Sequence, residues 1–145
     1  MMRTAWLVLA MTAAFPAVAA EADLLAGAFA SDAETCRQLA EGKGEPLQGW
    51  VLTAERIRPP AEAECEFVEV KASPSPGGGW FASALCRSSE GDYPDVASIL
   101  PTEDEGLSVT FLSDEVARRA GTVAEPAIRF VACPGISPDA INHPQ

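Results

Sequence analysis

The chain of 145 residues is poor in the side chains on which many hydrolases and metal sites depend. It has one histidine, His143, and its four cysteines include no Cys-x-x-Cys pair. A Ser-His-Asp triad needs an imidazole held by a rigid partner, whereas His143 lies in a segment that we expect to be flexible. Structural zinc sites take cysteine and histidine ligands at close spacings that this sequence lacks. The sequence therefore predicts neither a triad nor a zinc site.

Other patterns of catalytic and cofactor-binding residues are missing or loose. Carboxylates are plentiful, but no two are set apart as the unequal acid and base of a glycosidase. Calcium loops alternate Asp or Asn around a glycine, and the segments Asp92 to Asp95 and Glu103 to Glu105 match only loosely. Gly77 to Gly79 lack the Lys-Ser/Thr pair of a P-loop and suit a hairpin tip. We expect no catalytic residue, no metal and no cofactor, and a protein that is not an enzyme.

Basic side chains are scarce as well. Lys and Arg number 10 against 21 Asp and Glu, which gives a formal net charge of −11. Nucleic acid and anionic lipid repel a chain of this charge, so neither is an expected partner. An excess of acid favours solubility, and it leaves open a cationic protein as the partner. We expect a monomer in the absence of that partner.

A long apolar run occurs only near the N-terminus. Arg3 precedes an apolar stretch from Ala5 to Phe15, and Ala17 to Ala20 supplies small residues for cleavage. The stretch is shorter than the roughly 20 residues needed to span a bilayer, and its order is typical of a secretory signal. We expect residues 1–20 to be a cleavable signal peptide, no membrane span in the mature chain, and a periplasmic or secreted location.

Four cysteines in an exported chain indicate a disulfide framework, because export leads to an oxidising compartment. Three connectivities are possible, and the sequence alone does not choose among them. A hairpin register that places Cys65 opposite Cys86 favours that pair and leaves Cys36 with Cys133. The alternative joins Cys36 to Cys65 and Cys86 to Cys133.

Alternating apolar and polar residues predict strands through most of residues 21–133, a length suited to one domain. The predicted strand segments are 47–58, 65–71, 80–86, 96–100, 107–112 and 128–133. A short helix over 33–41, capped by Ser31 and ended by Gly42, carries Cys36. A second helix is predicted between Ser113 and Gly121.

The predicted fold class is mainly β: a small antiparallel β-barrel or sandwich of about six strands with a short N-terminal helix and two disulfides. Residues 134–145 are predicted to form a flexible tail. Aromatic side chains at strand spacing more often form a core than line a ligand pocket. Those residues are Trp50, Phe67, Trp80, Phe81, Phe111 and Phe130.

Several short motifs give the chain a resemblance to a known group of proteins. They are Phe29-Ala30, Ile57, Cys65-Glu66-Phe67, Gly79-Trp80, Cys86, Gly106-Leu107 and Phe130-Val131-Ala132-Cys133. With these motifs the chain resembles small four-cysteine exported proteins of Gram-negative bacteria, especially alphaproteobacteria. The resemblance implies a disulfide-linked β domain in the periplasm and implies no particular activity.

Taken together, these features predict a non-enzymatic domain with a binding or protein-interaction role. One alternative is an inhibitor of a cationic enzyme that attacks the cell envelope, such as lysozyme. That inhibitor would insert Gly77 to Gly79 or the turn Glu103 to Glu105 into the cleft of its enzyme. A second alternative is a carrier that holds a small ligand inside a barrel.

Overall fold

A computed structural model describes residues 25–42, 47–59, 64–121 and 127–142, except for the side chains of Glu115 and Arg118. The predicted signal peptide, residues 1–20, and His143 lie outside these ranges. The described strands are β1 Phe29–Ala30, β2 Val51–Leu52, β3 Arg56–Arg58, β4 Glu64–Ala72, β5 Trp80–Ser88, β6 Gly91–Pro101, β7 Leu107–Phe111 and β8 Ala127–Ala132. The described helices are α1 Ala33–Ala40, α2 Leu112–Arg119 and α3 Pro138–Asn142.

The strands form a closed antiparallel barrel in chain order. Closure is made by β1, in which Phe29 pairs with Leu52 of β2 on one side and with Ala132 of β8 on the other. The chain thus folds as a barrel and not as a sandwich, the two alternatives that the sequence left open. Its inward side chains form one apolar cluster that includes Leu52, Ile57, Trp80, Ala82, Ile99, Val109, Phe111 and Phe130.

The prediction of about six strands is wrong, since the barrel has eight. The segment 47–58 forms two short strands rather than one, because the chain turns at Thr53. The Thr53 hydroxyl accepts hydrogen bonds from the amides of Glu55 and Arg56, which fixes this turn. The pattern also missed Phe29–Ala30, which is too short to show an alternation.

Helix α1 begins at Ala33, as predicted. Its N-cap is Asp32 rather than Ser31, and an Asp32 carboxylate oxygen accepts the Thr35 amide proton at 2.8 Å. This hydrogen bond is the largest cause of the lowered pKa of Asp32. Ser31 instead accepts a hydrogen bond from the Trp50 amide at 2.9 Å and so ties the helix start to the segment before β2. Gly42 follows the helix at φ 62°, which confirms it as the left-handed stop.

The predicted hairpin of β4 and β5 is confirmed, with one change of register. Cys65 pairs with Cys86, as predicted, and the same register pairs Phe67 with Ala84. A β-bulge at Val68 then shifts the ladder, so Glu69 meets Ser83 and Lys71 meets Phe81, whereas an unbroken register would place Ala82 and Trp80 opposite them. The extra residue leaves the Val68 side chain 76% exposed.

Both preferred disulfides are confirmed. Cys65–Cys86 joins facing residues of β4 and β5, and Cys36–Cys133 joins α1 to the residue after β8. Two disulfides indicate an oxidising, non-cytoplasmic environment.

The segment after Cys133 differs from the predicted flexible tail. Residues 138–142 form α3, in which Ile141 is buried against a second apolar cluster that includes Ala30, Val51 and Cys133. The Thr53 hydroxyl donates a hydrogen bond to the Asn142 side-chain oxygen at 2.8 Å. Burial of one isoleucine and this hydrogen bond anchor the segment on the barrel.

Replacing each disulfide by two alanines should destabilise the protein to different extents. The separation across Cys36–Cys133 is 97 residues and that across Cys65–Cys86 is 21. Loop-closure entropy then predicts a loss of roughly 4–5 kcal/mol in the free energy of unfolding for the first pair and roughly 3 kcal/mol for the second. Urea unfolding of the two double variants measures both losses. An equal or larger loss for Cys65→Ala/Cys86→Ala would contradict the ranking.

Candidate functional site

The candidate site arises where two neighbouring strands differ in length. Strand β6 has eleven residues and β7 has five, and they pair only from Ala97 to Pro101 on β6. The first half of β6, Gly91 to Val96, pairs with β5 alone, because the chain leaves the sheet after Phe111 and enters α2. Helix α2 contacts both β6 and β7 and lies beside this gap in the barrel wall.

Asp95 connects the first half of β6, which pairs with β5 alone, to the start of α2. One carboxylate oxygen accepts hydrogen bonds from the amides of Val96, at 2.8 Å, and Ser113, at 3.3 Å. The other oxygen accepts a hydrogen bond from the Ser113 hydroxyl. A carboxylate at this position stabilises the N-terminal turn of a helix. Together with Pro94, which has no amide proton, it also reduces the capacity of this edge to pair with a strand of another chain.

A groove of about 590 Å³ runs between β6 and α2 on the outer surface of the barrel. We call it the β6–α2 groove, and its lining is Pro94, Asp95, Val96, Leu112, Ser113 and Val116. Leu112 and Val116 stand one helical turn apart on α2 and are 57% and 60% exposed. This volume lies within the range of about 300–1,000 Å³ that is usual for ligand pockets.

The apolar surface continues from the groove across β5. Val96 lies opposite Ser83, between Phe81 and Leu85 of the neighbouring strand. We call the exposed side chains Phe81, Leu85, Val96, Leu112 and Val116 the outer apolar patch; each is at least 36% exposed. Single exposed apolar residues are ordinary, whereas adjoining ones are typical of a binding surface.

Asp114, next to the groove on α2, has a raised pKa. Burial of the carboxyl is the larger cause, and the negative charge of Asp95 is the second. Burial and the neighbouring charge both disfavour the ionised form, so the two carboxylates share a site at which negative charge is unfavourable. A positive group placed beside them would lower the pKa of Asp114 and be attracted in return.

A second cavity of about 500 Å³ lies at the other end of β6, lined by Pro101, Thr102, Glu103, Asp104 and Arg129. The Thr102 hydroxyl donates a hydrogen bond to Asp104 at 2.5 Å, and this bond is the main cause of the lowered pKa of Asp104. These polar contacts stabilise the β6–β7 turn itself. Across the described ranges, no group of three or more His, Cys, Asp or Glu side chains is arranged to hold a metal ion.

The remaining candidate residues from the sequence lie apart from the groove or within the core. The carboxylates of β4 form surface ion pairs: Glu64 with Arg56 and Arg87, Glu66 with Arg87, and Glu69 with Lys71. Among the aromatic residues, Trp80, Phe111 and Phe130 are buried in the barrel, whereas Phe81 belongs to the outer apolar patch. Gly77 to Gly79 connect β4 and β5 at the hairpin tip.

Sequence reasoning did not identify the groove. Asp92 to Asp95 match a calcium loop only loosely, and in the structure Asp95 binds the start of α2. One available signal was the apolar pair Leu112 and Val116, four residues apart in a helix that also carries four charged residues. None of the helices in the described ranges has the length and apolar character needed to cross a bilayer.

Asp95→Ala should loosen α2 from β6. The substitution removes the acceptor of two amides and a hydroxyl, so we expect a loss of about 1–2 kcal/mol in the free energy of unfolding and faster hydrogen exchange at the Ser113 amide. Urea unfolding and exchange measured by NMR test these effects. Asp92→Ala is the control, because it removes an exposed acid of the same strand with no hydrogen bond to α2. Equal effects of the two substitutions would contradict the capping role of Asp95.

Asp114→Asn should stabilise the protein at neutral pH. Because the pKa of Asp114 is raised by folding, the folded chain binds more protons than the unfolded chain between the ordinary value of 3.8 and the raised value. Stability therefore falls as pH rises through that window, and an uncharged side chain removes this loss. Urea unfolding between acidic and neutral pH, with Asp92→Asn as the control for net charge, measures the effect. A less stable Asp114→Asn variant at neutral pH would refute the prediction.

No family model, curated protein or solved structure matches this chain. The geometry and the electrostatics of the β6–α2 groove are therefore the evidence that bears on function.

Proposed function

We propose that the chain is a non-enzymatic protein-interaction domain of the periplasm or of the secreted fraction. The observation that carries this proposal is the outer apolar patch, which is continuous with the β6–α2 groove. Apolar side chains exposed side by side are costly in water, and docking of a partner removes that cost. The two disulfides support a location outside the cytoplasm.

The shape of the site favours a protein over a small metabolite. The groove lies open on the outer wall, and the apolar surface extends from Leu112 on α2 across β6 to Phe81 on β5. Protein interfaces typically combine such an apolar centre with a polar rim. Inside the barrel, by contrast, side chains such as Trp80, Ile99 and Phe130 pack in one cluster. A carrier of a small ligand is therefore less favoured than a protein-interaction domain.

The chemistry of the groove favours binding over catalysis. Its polar side chains are Asp95 and Ser113, and each satisfies the other: the Ser113 hydroxyl donates to the carboxylate that also caps α2. A serine nucleophile needs a base that accepts its proton and is held in place by a third group. Here the carboxylate is committed to helix capping, which supports a non-enzymatic role for this site.

An inhibitor of a cationic enzyme is the second candidate, and the charge of the chain favours it. A net charge of −11 would speed association with a positively charged enzyme at low salt. In such a complex Glu103 and Asp104, which line the second cavity at the β6–β7 turn, would approach the enzyme cleft. This candidate uses the opposite end of β6 from the groove, so the two proposals predict different contact surfaces.

A photocrosslinking amino acid at Val116 should form a covalent adduct with one discrete protein in cells that express the chain with its own N-terminus. The same amino acid at Leu100 is the control, because Leu100 is 47% exposed on β6 but lies outside the groove. We expect the Val116 adduct to be lost when Leu112→Ser removes apolar contact from the groove. Mass spectrometry identifies the adduct.

Identical adducts from Val116 and Leu100, or none from Val116, would refute the groove as the docking site. Slowing of a purified lysozyme by a protein that gives no adduct at Val116 would favour the inhibitor candidate instead. If that inhibition weakened with added salt, the acidic surface would be its cause.

A further inference from the structure

We infer that the β6–α2 groove receives a basic amphipathic segment of a partner protein. An apolar side chain of that segment would seat on Val96, Leu112 and Val116, and a Lys or Arg of the same segment would face Asp95 and Asp114. The inference rests on the proposed protein-binding function and names the chemistry of the partner.

The lining of the groove supplies apolar contacts for such a segment. Leu112 and Val116 on α2 face the same cavity as Val96 and Pro94 on β6, so an inserted side chain would contact apolar atoms on both walls. The Asp95 hydrogen bonds to Ser113 hold the start of α2 at a defined distance from β6. The cavity is thus formed before a partner arrives, which lowers the entropic cost of binding.

Two carboxylates beside the groove favour a basic side chain on the partner. Asp95 lines the groove, and Asp114 is close enough for the Asp95 charge to raise its pKa. Each Asp95 oxygen already accepts hydrogen bonds from α2 or β6, and those donors are neutral, so the carboxylate keeps its negative charge. A lysine or arginine at the rim would place a positive charge beside it.

The rest of the surface points to the same partner. Charges of net −11 repel an acidic protein, an anionic lipid surface and a second copy of this chain. An apolar patch alone would accept any of several apolar partners. Carboxylates at its edge select a basic one, because an acidic segment would leave like charges side by side.

Fluorescence anisotropy with short labelled peptides tests this chemistry on the full protein after removal of any signal peptide. The probes are a peptide in which Leu alternates with Lys, a matched peptide with Glu in place of Lys, and a matched peptide with Ser in place of Leu. We expect the Leu/Lys peptide to bind at least about tenfold more tightly than either control, since each control lacks one of the two interactions. Added salt should weaken its binding.

Two matched variants locate the binding. Asp114→Asn should weaken the Leu/Lys peptide about two- to fivefold, as expected for loss of one partly exposed ion pair. Glu103→Gln makes the same change in net charge at the β6–β7 turn and should have no effect. Because Asp114→Asn is expected to leave the fold at least as stable, a loss of binding would not arise from unfolding.

The inference is overturned if the Leu/Glu peptide binds as tightly as the Leu/Lys peptide, or if Glu103→Gln weakens binding as much as Asp114→Asn. It is also overturned if the protein cosediments with phosphatidylcholine vesicles and those vesicles compete with the peptide, since the patch would then bind lipid. Should the Val116 adduct form while the basic peptide shows no preference, the inference fails and the proposed function stands. Absence of both the adduct and peptide binding would reject both.

Discussion

Closure of the barrel depends on two residues, Phe29 and Ala30. Strand β1 hydrogen-bonds to β2 on one side and to β8 on the other, so it joins the two ends of the sheet. Two residues supply few ladder hydrogen bonds, so neighbouring contacts are also needed to stabilise the closure. The Cys133 amide donates to the Ala28 carbonyl at 2.8 Å, and the Cys36–Cys133 disulfide fixes the middle of α1 to the residue after β8. The apolar cluster inside the barrel and the smaller one beneath α3 both depend on this closure.

The same closed sheet creates the candidate site through unequal strand lengths. A barrel in which β7 matched β6 along its full length would have no gap beside Gly91 to Val96. The early end of β7 leaves an edge that the chain protects in two ways: Pro94 lacks a donor, and Asp95 binds the Val96 amide. The carboxylate that protects the edge also fixes α2, so the groove follows from how the chain ends a short strand.

Much of the fold could be predicted because the β4–β5 hairpin is regular beside its disulfide. Apolar residues alternate along β4 and β5, and the two cysteines mark one pair of the register, which was enough to place Cys65 opposite Cys86. The bulge at Val68 could not be predicted, because one extra valine in a strand-like run leaves the local composition unchanged. The first half of β6 was not predicted because its composition argues against a strand: Asp92, Pro94 and Asp95 are residues that strands usually disfavour. These residues are tolerated because this half of β6 is an edge that pairs with β5 alone. Which strand becomes an edge depends on tertiary pairing, which the local sequence does not show.

The acidic surface and the apolar patch act together. An exposed patch such as Phe81, Val96 and Val116 would favour self-association in a neutral protein, since two copies could bury it against each other. Net charge of −11 on each copy opposes that encounter, and Pro94 and Asp95 oppose strand pairing at the adjacent edge. Neither the net charge nor these two residues oppose a basic partner that inserts a side chain into the groove and does not pair a strand with the edge. The charge that keeps two copies apart is also the charge that would attract such a partner, so one property of the sequence keeps the patch both exposed and selective.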